Sequence, residues 1–196
     1  MNTRLKAFLD GLYYTYQRRE VINPDPLYFL YKYDDIRDLE IAGLLASSLA
    51  YGRVAQIMKS VDRVLSCLTN EPHKFLLSNG NFEIVPSDFK HRFTTGHDIN
   101  VLLKNVSEIL REYGTIEEFL RECLRNSEGD IFSGLDEFSG RLSRGKEEGS
   151  FSLVTAPKDG SACKRLFLYL KSSCRTLRLF LRTKSCCRML RLFLRL

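Results

Sequence analysis

The residues whose types and spacing best suit chemistry are Gly160-Ser-Ala-Cys-Lys-Arg165. Gly160 and Ser161 suit a helix start, where amides without intrahelical partners point outward, and Lys164 and Arg165 add two cations close by. Such a site can take a phosphate, helped by the positive end of the helix dipole. The plainer alternative is an ordinary helix cap followed by solvent-facing cations. Arg53, beside Gly52, and the pair His91-Arg92 are further candidates for phosphate contact, with a structural role for His91-Arg92 the stronger alternative. His91, His97 and Asp98 also have metal-ligand chemistry. Three such residues near a loop arise readily by chance, so no metal and no cofactor is expected. Asp34, Asp35, Asp38, Glu40 and Asp98 supply carboxylates, but none sits in a motif that assigns it a role, and no catalytic residue is assigned.

The six cysteines give no site either. Cys163, Cys174, Cys186 and Cys187 fit neither a zinc ribbon nor the four-cysteine iron–sulfur loop, and Cys67 and Cys123 read as small buried apolar residues.

The elements that must position these residues read as helices. Leu5, Phe8, Leu9, Leu12, Tyr13 and Tyr16 recur at steps of three and four, which predicts an amphipathic helix over 2–18. Asn23-Pro-Asp-Pro26 breaks the chain before the aromatic segment 27–33, whose rings suit base stacking but fit core packing better. A helix from Asp38 to Leu49 carries small residues (Ala42, Gly43, Ala46, Ser47) that allow close approach of a neighbour. Tyr51-Gly52-Arg53 interrupts it, and a second helix runs from Val54 to Leu68. Pro72 begins a short helix, and 78–88 reads as a loop. Thr95 or Asp98 caps a helix over 99–113 that Gly114 stops. Thr115-Ile-Glu-Glu118 has the form of a capping box for the next helix, to about Asn126, and another covers 130–143. With no strand alternation over 1–150, the body is expected to be all-α.

Charge divides the chain. Of 30 Lys/Arg and 24 Asp/Glu, residues 161–196 hold ten basic and no acidic side chains, leaving 20 basic against 24 acidic in 1–160. The expected organisation is a helical domain over 1–160 and a basic tail over 161–196. Arg165-Leu-Phe-Leu recurs at Arg178 and Arg191, a 13-residue spacing that matches no known solenoid repeat. Residues 162–182 form a basic amphipathic helix on this reading, with Cys163, Leu166, Phe167 and Leu170 on one face. Such a helix can meet an anionic membrane surface, a protein partner or a phosphate backbone, and a local duplication without purpose explains residues 172–196 more simply. No 18-residue charge-free apolar run occurs and the N-terminus lacks a signal-peptide pattern, so a cytoplasmic location is expected.

Asp38-Leu-Glu-Ile-Ala-Gly43, Leu49-Ala-Tyr-Gly-Arg53, Lys90-His-Arg-Phe-Thr94 and Pro157-Lys-Asp-Gly-Ser-Ala-Cys-Lys-Arg-Leu166 together resemble an uncharacterised bacterial family of helical proteins related to the helix-hairpin-helix DNA glycosylase superfamily. The resemblance covers about residues 1–166 and implies a helical fold with DNA as ligand. It also implies a later region with a Leu-Asp-Thr-His-Val-like motif close to the catalytic elements. This chain has no Leu-Asp-Thr-His segment and no tryptophan. The expectation is therefore DNA binding, with catalysis by this chain doubtful. The alternatives are a non-enzymatic interaction protein that uses its basic tail, or an inactive, truncated family member.

Overall fold

The computed structural model describes residues 3–16, 24–128, 130–146 and 152–177. Its helices are α1 (Thr3–Tyr16), α2 (Ile36–Ser48), α3 (Val54–Cys67), α4 (Pro72–Ser78), α5 (Gly96–Tyr113), α6 (Ile116–Asn126), α7 (Ile131–Leu142) and α8 (Lys164–Leu177). Short 3-10 helices lie at Pro26–Lys32 and Pro157–Asp159. The fold is all-α, as the periodicity predicts. Its one departure among the described residues is an antiparallel hairpin of β1 (Lys90–His91) and β2 (Thr94–Thr95), with His91 opposite Thr94. Strands of two residues are too short to leave an alternating pattern in a sequence.

The centre of the molecule is α2, in which every residue from Asp38 to Ser48 is buried. Asp35 starts this helix by accepting a hydrogen bond from the Arg37 amide (2.9 Å). Small residues on α2 let α8 approach closely, so that Cys163, Leu166, Tyr169 and Leu170 share the main core with it. The apolar face read from the sequence at the start of α8 is thus buried, with Phe167 partly so. In the 3-10 helix, Phe29 and Leu30 enter the core while Tyr28 and Tyr31 stay exposed.

A Cβ added at Gly43 would meet Tyr169 and Leu30 at 3.6–3.7 Å, ordinary contact distances. Gly43→Ala is therefore expected to stabilise the protein by about 0.5–1 kcal/mol through helix propensity, read as a higher midpoint in urea unfolding.

Two buried carboxylates tie α2 to distant helix starts. Asp38 accepts from the His73 amide (2.7 Å) at the beginning of α4. The two oxygens of Glu40 accept from the Ile116 and Glu117 amides (3.0 Å each) at the beginning of α6. Thr115 caps α6 by accepting from the Glu118 amide, while the Glu118 carboxylate pairs with Arg125 (2.9 Å) rather than reaching back. In α5 the box is complete, with Thr95 and Asp98 exchanging both bonds. That helix ends at Gly114, whose φ of +81° lies in the region glycine favours. Behind these caps α6 packs on α7, with Phe119 stacked on Phe138 at 5.5 Å.

The stripe of α1 (Leu5, Phe8, Leu9, Leu12, Tyr13) is exposed. The repeat copies that begin at Arg178 and Arg191 lie outside the described residues, as does the end of the helix read over 162–182. Among the described residues no helix is long and apolar enough to cross a membrane.

Candidate nucleic-acid interface

The turn Tyr51-Gly52-Arg53, between α2 and α3, organises the surface. The Tyr51 hydroxyl bonds to the His91 carbonyl (2.9 Å) and to the Thr94 hydroxyl (2.6 Å), pinning both strands of the hairpin. His91 is fully buried against the Tyr51 ring. Its Nε2 lies 3.0 Å from the Tyr51 carbonyl, which can only accept, so Nε2 carries the proton. Nδ1 then accepts from the Ser60 hydroxyl (2.9 Å). Burial pushes the His91 pKa down, which keeps this neutral tautomer in place. On the Tyr51 ring sits the Arg165 guanidinium, 5.3 Å from its centre. Arg165 also donates to the Ser48 carbonyl (3.3 Å) and the Ser152 carbonyl (2.7 Å).

On this buried polar base stands the hairpin tip, Arg92-Phe93. Arg92 has a φ of +54°, which costs a non-glycine residue about 1 kcal/mol and persists only where its surroundings impose it. Its side chain passes close to Gly52, where an added Cβ would lie 3.0 Å from Arg92 Cδ. The guanidinium lies over the Phe93 ring at 5.6 Å, and Phe93 itself is 65% exposed.

Beside the hairpin, α3 forms one wall of an open groove of about 420 Å³. Four cations line it: Arg53, Lys59, Arg63 and Lys90, with Ser60 and Phe89 at its floor. Asp88 offsets part of this charge by holding Arg63 with both oxygens (2.8 Å each). The positive end of α3 opens here. Its cap residue, Arg53, makes no side-chain capping bond, and its first turn carries no acid. A groove of this kind suits a polyanion, since fixed cations and helix-end amides reinforce one another.

The sequence-derived candidates divide into three groups. Arg53 and Arg92 stand at this surface. His91 lies directly behind it, with both ring nitrogens engaged within the protein. Arg165 is half-buried beneath Tyr51, and its guanidinium meets two backbone carbonyls. At the start of α8, the Gly160 amide donates to the Pro157 carbonyl (2.9 Å), with Gly160 in the left-handed region at φ +69°. The Ser161 hydroxyl accepts from the Cys163 amide (3.1 Å) and bonds Thr155 (3.0 Å). Lys164 is exposed. Asp98 is engaged in the α5 capping box. Among the described residues no three His, Cys, Asp or Glu side chains gather as a metal-binding group.

Sequence reasoning missed Lys59, Arg63 and Lys90. Lys59 and Arg63 fall four apart on the polar face of α3, a signal that was available. Lys90 joins them only through the fold of the hairpin.

Neither the curated proteins nor the solved structures yield a match to this chain. Residues 25–179, which run from the first 3-10 helix through α8, match the family described as protein of unknown function (DUF2400), and the chain belongs to that family.

Proposed function

We propose that this protein binds DNA through the basic groove between α3 and the hairpin. The observation that carries the reading is the convergence of Arg53, Lys59, Arg63 and Lys90 on one open groove, with Arg92 on the adjoining tip. Body residues carry a net negative charge, so this concentration of cations is local and does not follow from composition. The resemblance of four ordered motifs to an uncharacterised family related to the helix-hairpin-helix DNA glycosylase superfamily is consistent with the same ligand. One of those motifs, Lys90-His-Arg-Phe-Thr94, forms the hairpin, and another, Leu49-Ala-Tyr-Gly-Arg53, forms the turn beneath it. The proposal is one of binding, with no excision step assigned. A membrane role for the basic tail has less support, because the apolar side at the start of α8 is covered by α2.

Fluorescence anisotropy with labelled oligodeoxynucleotides tests this. Binding is expected at low salt, with log K falling linearly in log salt. The double variant Lys59→Glu/Lys90→Glu is expected to weaken binding at least tenfold and to lower the salt slope by about two, one for each phosphate that the two lysines would neutralise. Wild-type protein that binds no DNA at low salt, or a double variant that binds as well as wild type, rejects the proposal.

A further inference from the structure

Resting on the DNA-binding reading, we infer that the hairpin tip is a base-stacking element, and that the preferred ligand exposes unpaired bases beside its phosphates. The inference starts from Phe93. An aromatic ring of this size normally enters the core, yet Phe93 is 65% exposed on a hairpin whose Lys90 lines the groove with three other cations. The hairpin cannot turn it inward. His91 and Thr94, the paired residues on either side of the tip, are both fully buried. The Tyr51 hydroxyl holds both of them, and Ser60 and the Tyr51 carbonyl hold the His91 ring. Between these anchors a two-residue tip leaves its side chains no inward direction. The left-handed backbone of Arg92 then fixes the direction in which Arg92 and Phe93 project.

This arrangement has three consequences for a ligand. A ring carried on a pinned backbone, with only two side-chain torsions of its own, loses less conformational freedom when a base stacks on it than a ring on a mobile loop. Lys90 lines the groove and stands in the strand that leads to the tip, so a strand of nucleic acid that continues past Lys90 along the hairpin would bring its next bases to Phe93. The Arg92 guanidinium, already lying over the Phe93 ring, can stack on the same base or meet its phosphate. Stacking of this kind is indifferent to base identity, because every base has a π-face, but it needs a base that is out of a duplex stack.

The chain contains no tryptophan, so Phe93→Trp places its one tryptophan at the tip, where red-edge excitation separates it from the nine tyrosines. With the full chain and a 12-nucleotide single-stranded oligodeoxynucleotide, the Trp emission is expected to be quenched on binding and restored at high salt. Phe93→Ala is expected to lose about tenfold in affinity for the single strand and less than twofold for a blunt duplex of the same length. Circular dichroism of both variants checks that the fold is intact, as expected for an exposed position. Anisotropy that reports a bound oligonucleotide while the Trp emission stays unchanged overturns the stacking role and leaves the DNA-binding reading standing. An equal loss on single strand and duplex also overturns it, since that marks a general contact. Absence of any binding by wild-type protein rejects both readings together.

Discussion

Replacing Glu40 by alanine is expected to destabilise the fold by about 3–5 kcal/mol at neutral pH, read from urea unfolding followed by circular dichroism. Glu40 is 1% exposed, and each of its oxygens accepts one amide at the first turn of α6. Alanine leaves the Ile116 and Glu117 amides buried without acceptors, at about 1–3 kcal/mol each. It also leaves a gap between α2 and α6. A small domain has only about 5–15 kcal/mol in total, so this single change takes a large share.

The same carboxyl sets a pH dependence. Burial raises its pKa to about 7, against the two amide bonds that favour the ionised form. Between an unfolded value of 4.5 and about 7, the folded state holds a proton that the unfolded state has released. Unfolding then releases a proton, so the contribution of this group to stability falls as pH rises through that window, by up to about 3 kcal/mol. Above pH 7 both states are ionised and the dependence ends. Glu40→Gln cannot titrate and is expected to flatten the profile between pH 5 and 7. It also loses about 1–3 kcal/mol, because its amide nitrogen faces one of the two donors. A wild-type profile that matches the Gln variant across this window contradicts the assignment.

Gly96→Ala is the second large effect, with an expected loss of about 2–4 kcal/mol. Gly96 is the first residue of α5, and an added Cβ would lie 2.3 Å from the Pro86 carbonyl oxygen and 3.2 Å from that of Val85. Both obstacles are backbone, so no side chain can swing aside. The loop they belong to is held at several points. Asn100 donates to the Val85 carbonyl (2.9 Å) and accepts from its amide (2.8 Å), and the Gly96 amide donates to the Phe89 carbonyl (3.1 Å). Relieving the overlap means moving Val85–Phe89 outward, and Phe89 and Lys90 line the groove. If the groove binds DNA as proposed, the variant loses DNA affinity along with stability, unlike Gly43→Ala, which alters neither loop nor groove. Unfolding midpoints and anisotropy measured on the same preparations separate the two outcomes.

How far these features could be read from the sequence follows from how local each one is. Helix periodicity and caps such as Thr95 and Thr115 depend on neighbours within one turn, and they were legible. Glu40 sits in no motif that assigns it a role, because its partners, Ile116 and Glu117, lie far along the chain. Nothing in the spacing of residues 38–49 marks its carboxyl as the cap of α6. The hairpin leaves no signal in the sequence because its strands are too short to show a period. Charge and ring chemistry mark Arg165 and His91 in the sequence as candidates. The tertiary structure engages the first with the Ser48 and Ser152 carbonyls and buries the second between Ser60 and Tyr51.

By itself, then, the sequence determined the all-α class, the positions of its helices and the short Tyr51-Gly52-Arg53 break around which the surface turns. These follow from local periodicity, caps and backbone preferences. Only the tertiary structure decided which cations face one another. Arg53, Lys59, Arg63 and Lys90 come from α3, its cap and a hairpin whose alignment is fixed by long-range hydrogen bonds to Tyr51 and His91. A binding surface is a property of proximity, and proximity between distant residues is set by packing.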